Sequence, residues 1–146
     1  MSAMVHHNRL TLKIISTLRD NSIKHHAKDI IAPNLSDSSL IKIGFVHYRE
    51  MCEDCHGAPG ISPDETGEGL YPKPPDLTRS VKDWTPAELF WITKNGLKMS
   101  GMAAFGKTHS DDKIWAIVAF LEKLPSMTKE QYKAYNKKAS NSKDED

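Results

Sequence analysis

Cysteine is scarce in this chain of 146 residues: Cys52 and Cys55 are the two it has. A zinc site built on that pair would want two or more further ligands at metal spacing. A thioredoxin-like redox pair would want a βαβ context, which the chain does not offer. Long apolar runs are missing too. The longest, Ile114 to Leu121, has eight residues, too short to cross a bilayer, and no charged start followed by an apolar stretch marks a cleavable signal peptide. Neither sign of charge dominates, with 20 Lys and Arg against 19 Asp and Glu. Length and charge content are those of one ordinary soluble domain. Between Gly57 and Ser110 basic and acidic residues balance at six each, which gives no ring of charge for docking a partner. Only the start is uneven: residues 1–36 carry five Lys or Arg against two Asp, and residues 37–56 carry two against four acidic residues. A nucleic-acid partner is not suggested.

What the chain does have is its two cysteines in one motif, Cys52-Glu53-Asp54-Cys55-His56. A C-x-x-C-H spacing attaches c-type haem. Each thiol can add across a porphyrin vinyl group to form a thioether, and the adjoining histidine is then held under the ring with a nitrogen aimed at the iron.

Residues 1–31 place Leu10, Ile14, Ile15 and Leu18 at helix-like spacing between Arg9, Lys13 and Arg19, an amphipathic pattern. The paired histidines His6-His7 and His25-His26 read as solvated rather than as ligands. The Pro33-Asn34 step, in a Ser/Asp-rich stretch running to Ser39, reads as a linker. From Leu40 to Cys52 the spacing of Leu40, Ile43, Tyr48 and Met51 predicts a first core helix, capped at Ser36 or Asp37. Gly44 inside it permits close approach of another helix or of the haem. Gly57 to Pro75 holds five prolines and four glycines with no apolar period. So long a loop suits a compact fold when it packs on a large apolar ligand. Thr85-Pro86-Ala87-Glu88 has the capping-box pattern and predicts a helix ending at Asn95-Gly96. Two methionines follow on a glycine-rich loop. A thioether there suits the sixth position of a haem iron. Met102, between Gly101 and the small pair Ala103-Ala104, is favoured over Met99, which follows Lys98 in what reads as a solvent-facing turn. A last helix starts after Ser110 and ends at Pro125, and the Lys-, Asn- and Ser-rich tail beyond is expected to be disordered at its end.

In this order the motifs resemble class I cytochromes c, particularly the bacterial periplasmic kind that is often membrane-tethered. The resemblance spans roughly residues 37–125. It rests on the helix with Gly44 and Tyr48, Cys52-Glu53-Asp54-Cys55-His56-Gly57, Pro75-Asp76-Leu77, Gly101-Met102-Ala103-Ala104-Phe105-Gly106 and Ala119-Phe120-Leu121. It implies an all-α fold of three to five helices wrapped around one haem c, with long irregular loops. Cys52 and Cys55 would hold the haem, with His56 the proximal and Met102 the distal ligand of the iron. The Pro75 carbonyl would accept a hydrogen bond from the other ring nitrogen of His56, orienting the imidazole. Gly44 and Tyr48 would meet Ile117 and Phe120 where first and last helices cross. One departure is Ala103, where similar sequences have proline after the ligand methionine. Residues 1–36 are then an N-terminal extension, 37–125 the cytochrome domain and 126–146 a polar C-terminal tail. Because bacterial c-type haem is attached outside the cytoplasm, a periplasmic location is expected, with an export signal or membrane anchor upstream of the sequence.

The function implied is that of a monohaem carrier of single electrons between redox protein partners, a monomer and not an enzyme, since strong ligands on both faces leave the iron no vacant position. An alternative is a cytochrome subunit of a larger dehydrogenase, oxidase or reductase complex. A haem peroxidase or gas sensor would need the methionine to leave and a distal group such as His109 to approach. Arg79, Trp84 and Trp91 are the candidates for the haem propionates.

Overall fold

The computed structural model describes residues 4–141, so the end of the tail, expected to be disordered, lies outside the described residues. Along the chain run helices α1 (Arg9–Ala27), α2 (Ser38–Met51), α3 (Glu53–His56), α4 (Glu65–Gly69), α5 (Leu77–Ser80), α6 (Pro86–Asn95), α7 (Asp111–Lys123) and α8 (Lys129–Asn141). Five of these are long, and α3, α4 and α5 are single turns inserted into the irregular segments. There is no strand among the described residues, and Ala58 and Ile61 make a lone antiparallel bridge. The fold is all-α.

Local chemistry sets the boundaries. At the start of α2 the Asp37 carboxylate accepts the Ser39 backbone N–H at 2.8 Å, a bond that also lowers the pKa of that carboxyl. At α6 the Thr85 N–H donates to Glu88 Oε2 at 2.7 Å, and the Glu88 N–H donates back to Thr85 Oγ1 at 3.3 Å, closing the box that the sequence announced. Asp111 and Asp112 sit in the first turn of α7, where the helix dipole favours negative charge.

The core forms where α2 crosses α7. Gly44 is buried there, and a Cβ on it would lie 2.9 Å from the Phe120 Cβ. One helical turn on, the Tyr48 and Phe120 rings meet with centroids 5.2 Å apart. Phe45, Tyr48, Ile114, Ile117, Phe120 and Leu124 are essentially shut off from solvent, a continuous apolar cluster of the kind that supplies most of a small domain's stability.

Both ends of the chain depart from expectation. Of the α1 residues at helical spacing, Leu10, Ile14 and Leu18 are exposed by 69%, 52% and 66% and Ile15 is half-buried, while the buried residues are Ile23 and Ala27. The face turned to the domain is chosen near the end of α1, where small Ala27 lets the backbone come close and His26 stacks on Trp91 of α6 at 5.4 Å with the rings 6° from parallel. The segment beyond Pro125 is more than a polar tail. It carries α8, whose Tyr132 is fully buried with its ring 5.3 Å from that of Phe45. Two tyrosines, Tyr132 and Tyr135, dock this otherwise charged helix on the core.

Candidate functional site

The C-x-x-C-H motif begins where α2 stops. The Cys52 N–H closes the last turn of α2 on the Tyr48 carbonyl at 2.8 Å, and the His56 N–H bonds back to the Cys52 carbonyl at 2.8 Å, so Glu53 to His56 coil into α3. That single turn is clamped from two sides. The Tyr48 hydroxyl donates to the Gly57 carbonyl at 2.6 Å, and the Tyr132 hydroxyl of α8 donates to the Glu53 carboxylate. Burial raises the pKa of both phenols, with the neighbouring acidic groups adding to it.

α3 thereby turns its functional side chains toward a cleft of about 600 Å³, within the range of small-molecule and cofactor sites. Cys52, Cys55, His56, Pro75 and Met102 all line it. Both cysteines are free thiols. Burial pushes the Cys52 thiol up to about 12, and burial together with the charges of Asp64 and Asp54 raises Cys55. His56 Nδ1 lies 2.8 Å from the Pro75 carbonyl oxygen. A carbonyl can only accept, so Nδ1 carries the proton and Nε2 keeps its lone pair. Burial lowers the pKa of this imidazole, and the Pro75 bond opposes that shift, which leaves a neutral ring suited to binding a metal.

Met102 comes to the cleft on a loop tied by its own hydroxyl. Ser100 Oγ donates to the Leu97 carbonyl at 2.7 Å and accepts the Met102 N–H at 3.2 Å, while the Leu97 N–H reaches the Met102 carbonyl at 3.2 Å. Ser100 and Gly101 line the cleft beside it. A Cβ on Gly101 would come within 2.6 Å of a Leu70 methyl, so the loop packs closely on the end of that side chain. Met99, by contrast, is 72% exposed with φ at +62°.

The donor set suits a haem. Two free thiols, an imidazole with one nitrogen engaged and one available, and a soft thioether share one cleft, whose walls include the apolar side chains of Met51, Leu70, Trp84 and Phe105.

Of the three propionate candidates, Trp84 lines the cleft, while Trp91 is engaged with His26. Arg79 faces solvent, 87% exposed and 3.4 Å from Asp76, because α5 presents it on its outer side. His109 does not line the cleft. Its ring packs edge-on against His47, 5.4 Å away, and Nδ1 is 2.8 Å from Thr108 Oγ1. Sequence reasoning missed Arg19, Asp20 and Lys24, which α1 brings to the cleft. Charged residues on an amphipathic helix read as its solvated side, and no motif spacing links them to residue 52.

No curated protein matches the chain. A family described as cytochrome c oxidase, cbb3-type, subunit III matches residues 39–121, a span that runs from α2 through the cysteine motif and the methionine loop to α7. With more than half of its length matched, and with the walls of the cleft contained in that span except where α1 reaches it, this chain belongs to that family of c-type cytochrome domains, and its work is electron transfer.

Proposed function

We propose that the chain holds one haem c through thioethers to Cys52 and Cys55, with His56 and Met102 as the iron ligands, and carries single electrons between redox proteins outside the cytoplasm. The observation that carries this reading is the meeting of Cys52, Cys55, His56 and Met102 around one cleft while the Pro75 carbonyl fixes the His56 tautomer. The haem supplies an iron that gains and loses one electron. The chain supplies everything else. Pro75 aims Nε2 of His56 and makes it a better donor. The Met102 thioether, a soft ligand, favours the reduced metal and raises the potential. The apolar walls of the cleft exclude water and lower the local dielectric. With His56 and Met102 both holding the iron, the site would exchange electrons in place of binding substrate.

The family's description favours a second setting for the same chemistry, as the cytochrome subunit of a cbb3-type oxidase complex. No helix among the described residues is long and apolar enough to cross a membrane. Recovery of stoichiometric partners with the protein from solubilised membranes distinguishes a subunit from a free carrier.

Absorption spectra of oxidised and reduced protein, followed by acid-acetone extraction, test the proposal. The expected result is a six-coordinate haem that stays with the polypeptide. Haem that leaves with the solvent, or that a Cys52→Ala/Cys55→Ala double variant still retains, would overturn it.

A further inference from the structure

The helix that precedes the matched family span lies over the cleft. At its entry, the rings of His6 and His7 pack on Tyr71 with centroids 5.1 and 5.5 Å away, and the His7 backbone N–H donates to the Tyr71 hydroxyl at 2.9 Å. At its exit, Ile23 and Ala27 are buried and His26 stacks on Trp91. Between these anchors Arg19, Asp20 and Lys24 line the same cleft as the cysteine motif and Met102.

The cleft lining carries Arg19, Lys24 and Lys73 against Asp20 and Asp83. Arg19 uses Nε on Asp20 at 2.7 Å, which leaves the terminal nitrogens of its guanidinium fork. Lys24 has no ion pair among the described residues. Lys73, which also lines the cleft, is bonded to Glu68 at 3.0 Å. Lys24 and the terminal nitrogens of Arg19, both on exposed residues of one helix, therefore remain available at the cleft, and a haem brings two carboxylates to its site. A guanidinium binds a carboxylate in a fixed two-pronged geometry, and an ammonium adds a point charge.

We propose that Arg19 and Lys24 are the counter-ions of the haem propionates, and that α1 is a working wall of the haem site. The inference rests on the reading that the cleft holds haem c. It carries an electrostatic consequence. Reduction adds negative charge at the iron, so cations held beside the porphyrin favour the reduced state and raise the midpoint potential.

The test uses the full chain with its haem. Arg19→Gln, Lys24→Gln and the double variant are titrated spectroelectrochemically beside Lys133→Gln, which removes one exposed charge from α8 far along the chain. Haem content is read independently from the pyridine haemochrome. Each cleft variant should keep covalent haem and its six-coordinate spectrum yet show a lower midpoint potential, the double variant lowest, with Arg19→Lys restoring most of the loss and Lys133→Gln unchanged. Single and double variants that keep full haem and the wild-type potential would overturn the proposal, as would an equal fall with Lys133→Gln. If the double variant accumulates without haem, the single variants, each retaining one counter-ion, decide the matter. Wild-type protein lacking covalent haem would instead overturn the reading of the cleft itself.

Discussion

Gly44 passes so close to Ala116 that a Cβ placed on it would lie 1.8 Å from the Ala116 carbonyl oxygen. The obstacle is backbone, not the end of a flexible side chain, so the two helices must separate to admit a methyl group. Gly44→Ala should cost about 3 kcal/mol, the upper part of the overpacking range, and Gly44→Val more. Denaturant titration at constant haem content measures this. A variant as stable as wild type would show that the crossing of α2 and α7 has slack.

The methionine loop gives a second expectation. Met102→Ala should open the sixth coordination position, abolish the sulfur-to-iron charge-transfer absorption of the oxidised protein, lower the potential and let carbon monoxide bind the reduced form. Met99→Ala, at an exposed position, should do none of these. Ser100→Ala removes the hydroxyl that ties Leu97 to Met102, and it should yield a partial version of the Met102→Ala behaviour, visible as faster carbon monoxide binding. A reversed pattern between the two methionine variants would assign the ligand to Met99.

Tyr48→Phe leaves the buried Gly57 carbonyl without the donor it now has at 2.6 Å. The expected loss is about 1–3 kcal/mol, the usual penalty for stranding a buried acceptor. Because that bond holds the residue directly after His56, the variant should also broaden the spectral signature of the imidazole proposed as the iron ligand. Thermal melts and near-infrared spectra read the two effects separately.

His47 makes stability depend on pH. Burial foremost, then the charges of His109 and Lys113, lower its pKa from the ordinary 6.5, with Glu50 opposing. The folded protein thus holds this proton less tightly than the unfolded chain, so the unfolded state binds more protons as pH falls. Stability from this residue is full above pH 6.5 and declines as pH drops below it. His47→Gln should flatten that part of a stability-against-pH curve, and an unchanged slope would assign it to other groups.

Sequence revealed elements that carry their own local signals. The Thr85–Glu88 box announces α6, Asp37 announces α2, and the spacing of cysteines and histidine announces the motif, because each is decided by bonds within a few residues. What stayed hidden is decided at long range. Nothing near Tyr132 says that its hydroxyl will meet Glu53. Nothing in the stripe of Leu10, Ile14 and Leu18 says that α1 will instead bury Ile23 and Ala27. The pattern gave the existence of α1 but not the face that packs, since the partner surface on α6 selects it. Arg19 and Lys24 were invisible as site residues for the same reason: their meaning depends on where the helix lands.

The crossing of α2 and α7 also governs how fast the chain can find its fold. Residue 44 must meet residue 116 before the tightest contact in the core exists, so the ordering of a long intervening loop precedes the gain from packing, and such closures slow folding. In the proposed haem site, a link from His56 through the iron to Met102 would lie inside that loop and would shorten the free chain that remains to be closed. Ligation of the metal would in this sense be a kinetic instruction as well as a redox setting. A chain whose sixth ligand is lost, as in Met102→Ala, should collapse to the same helices but reach them later.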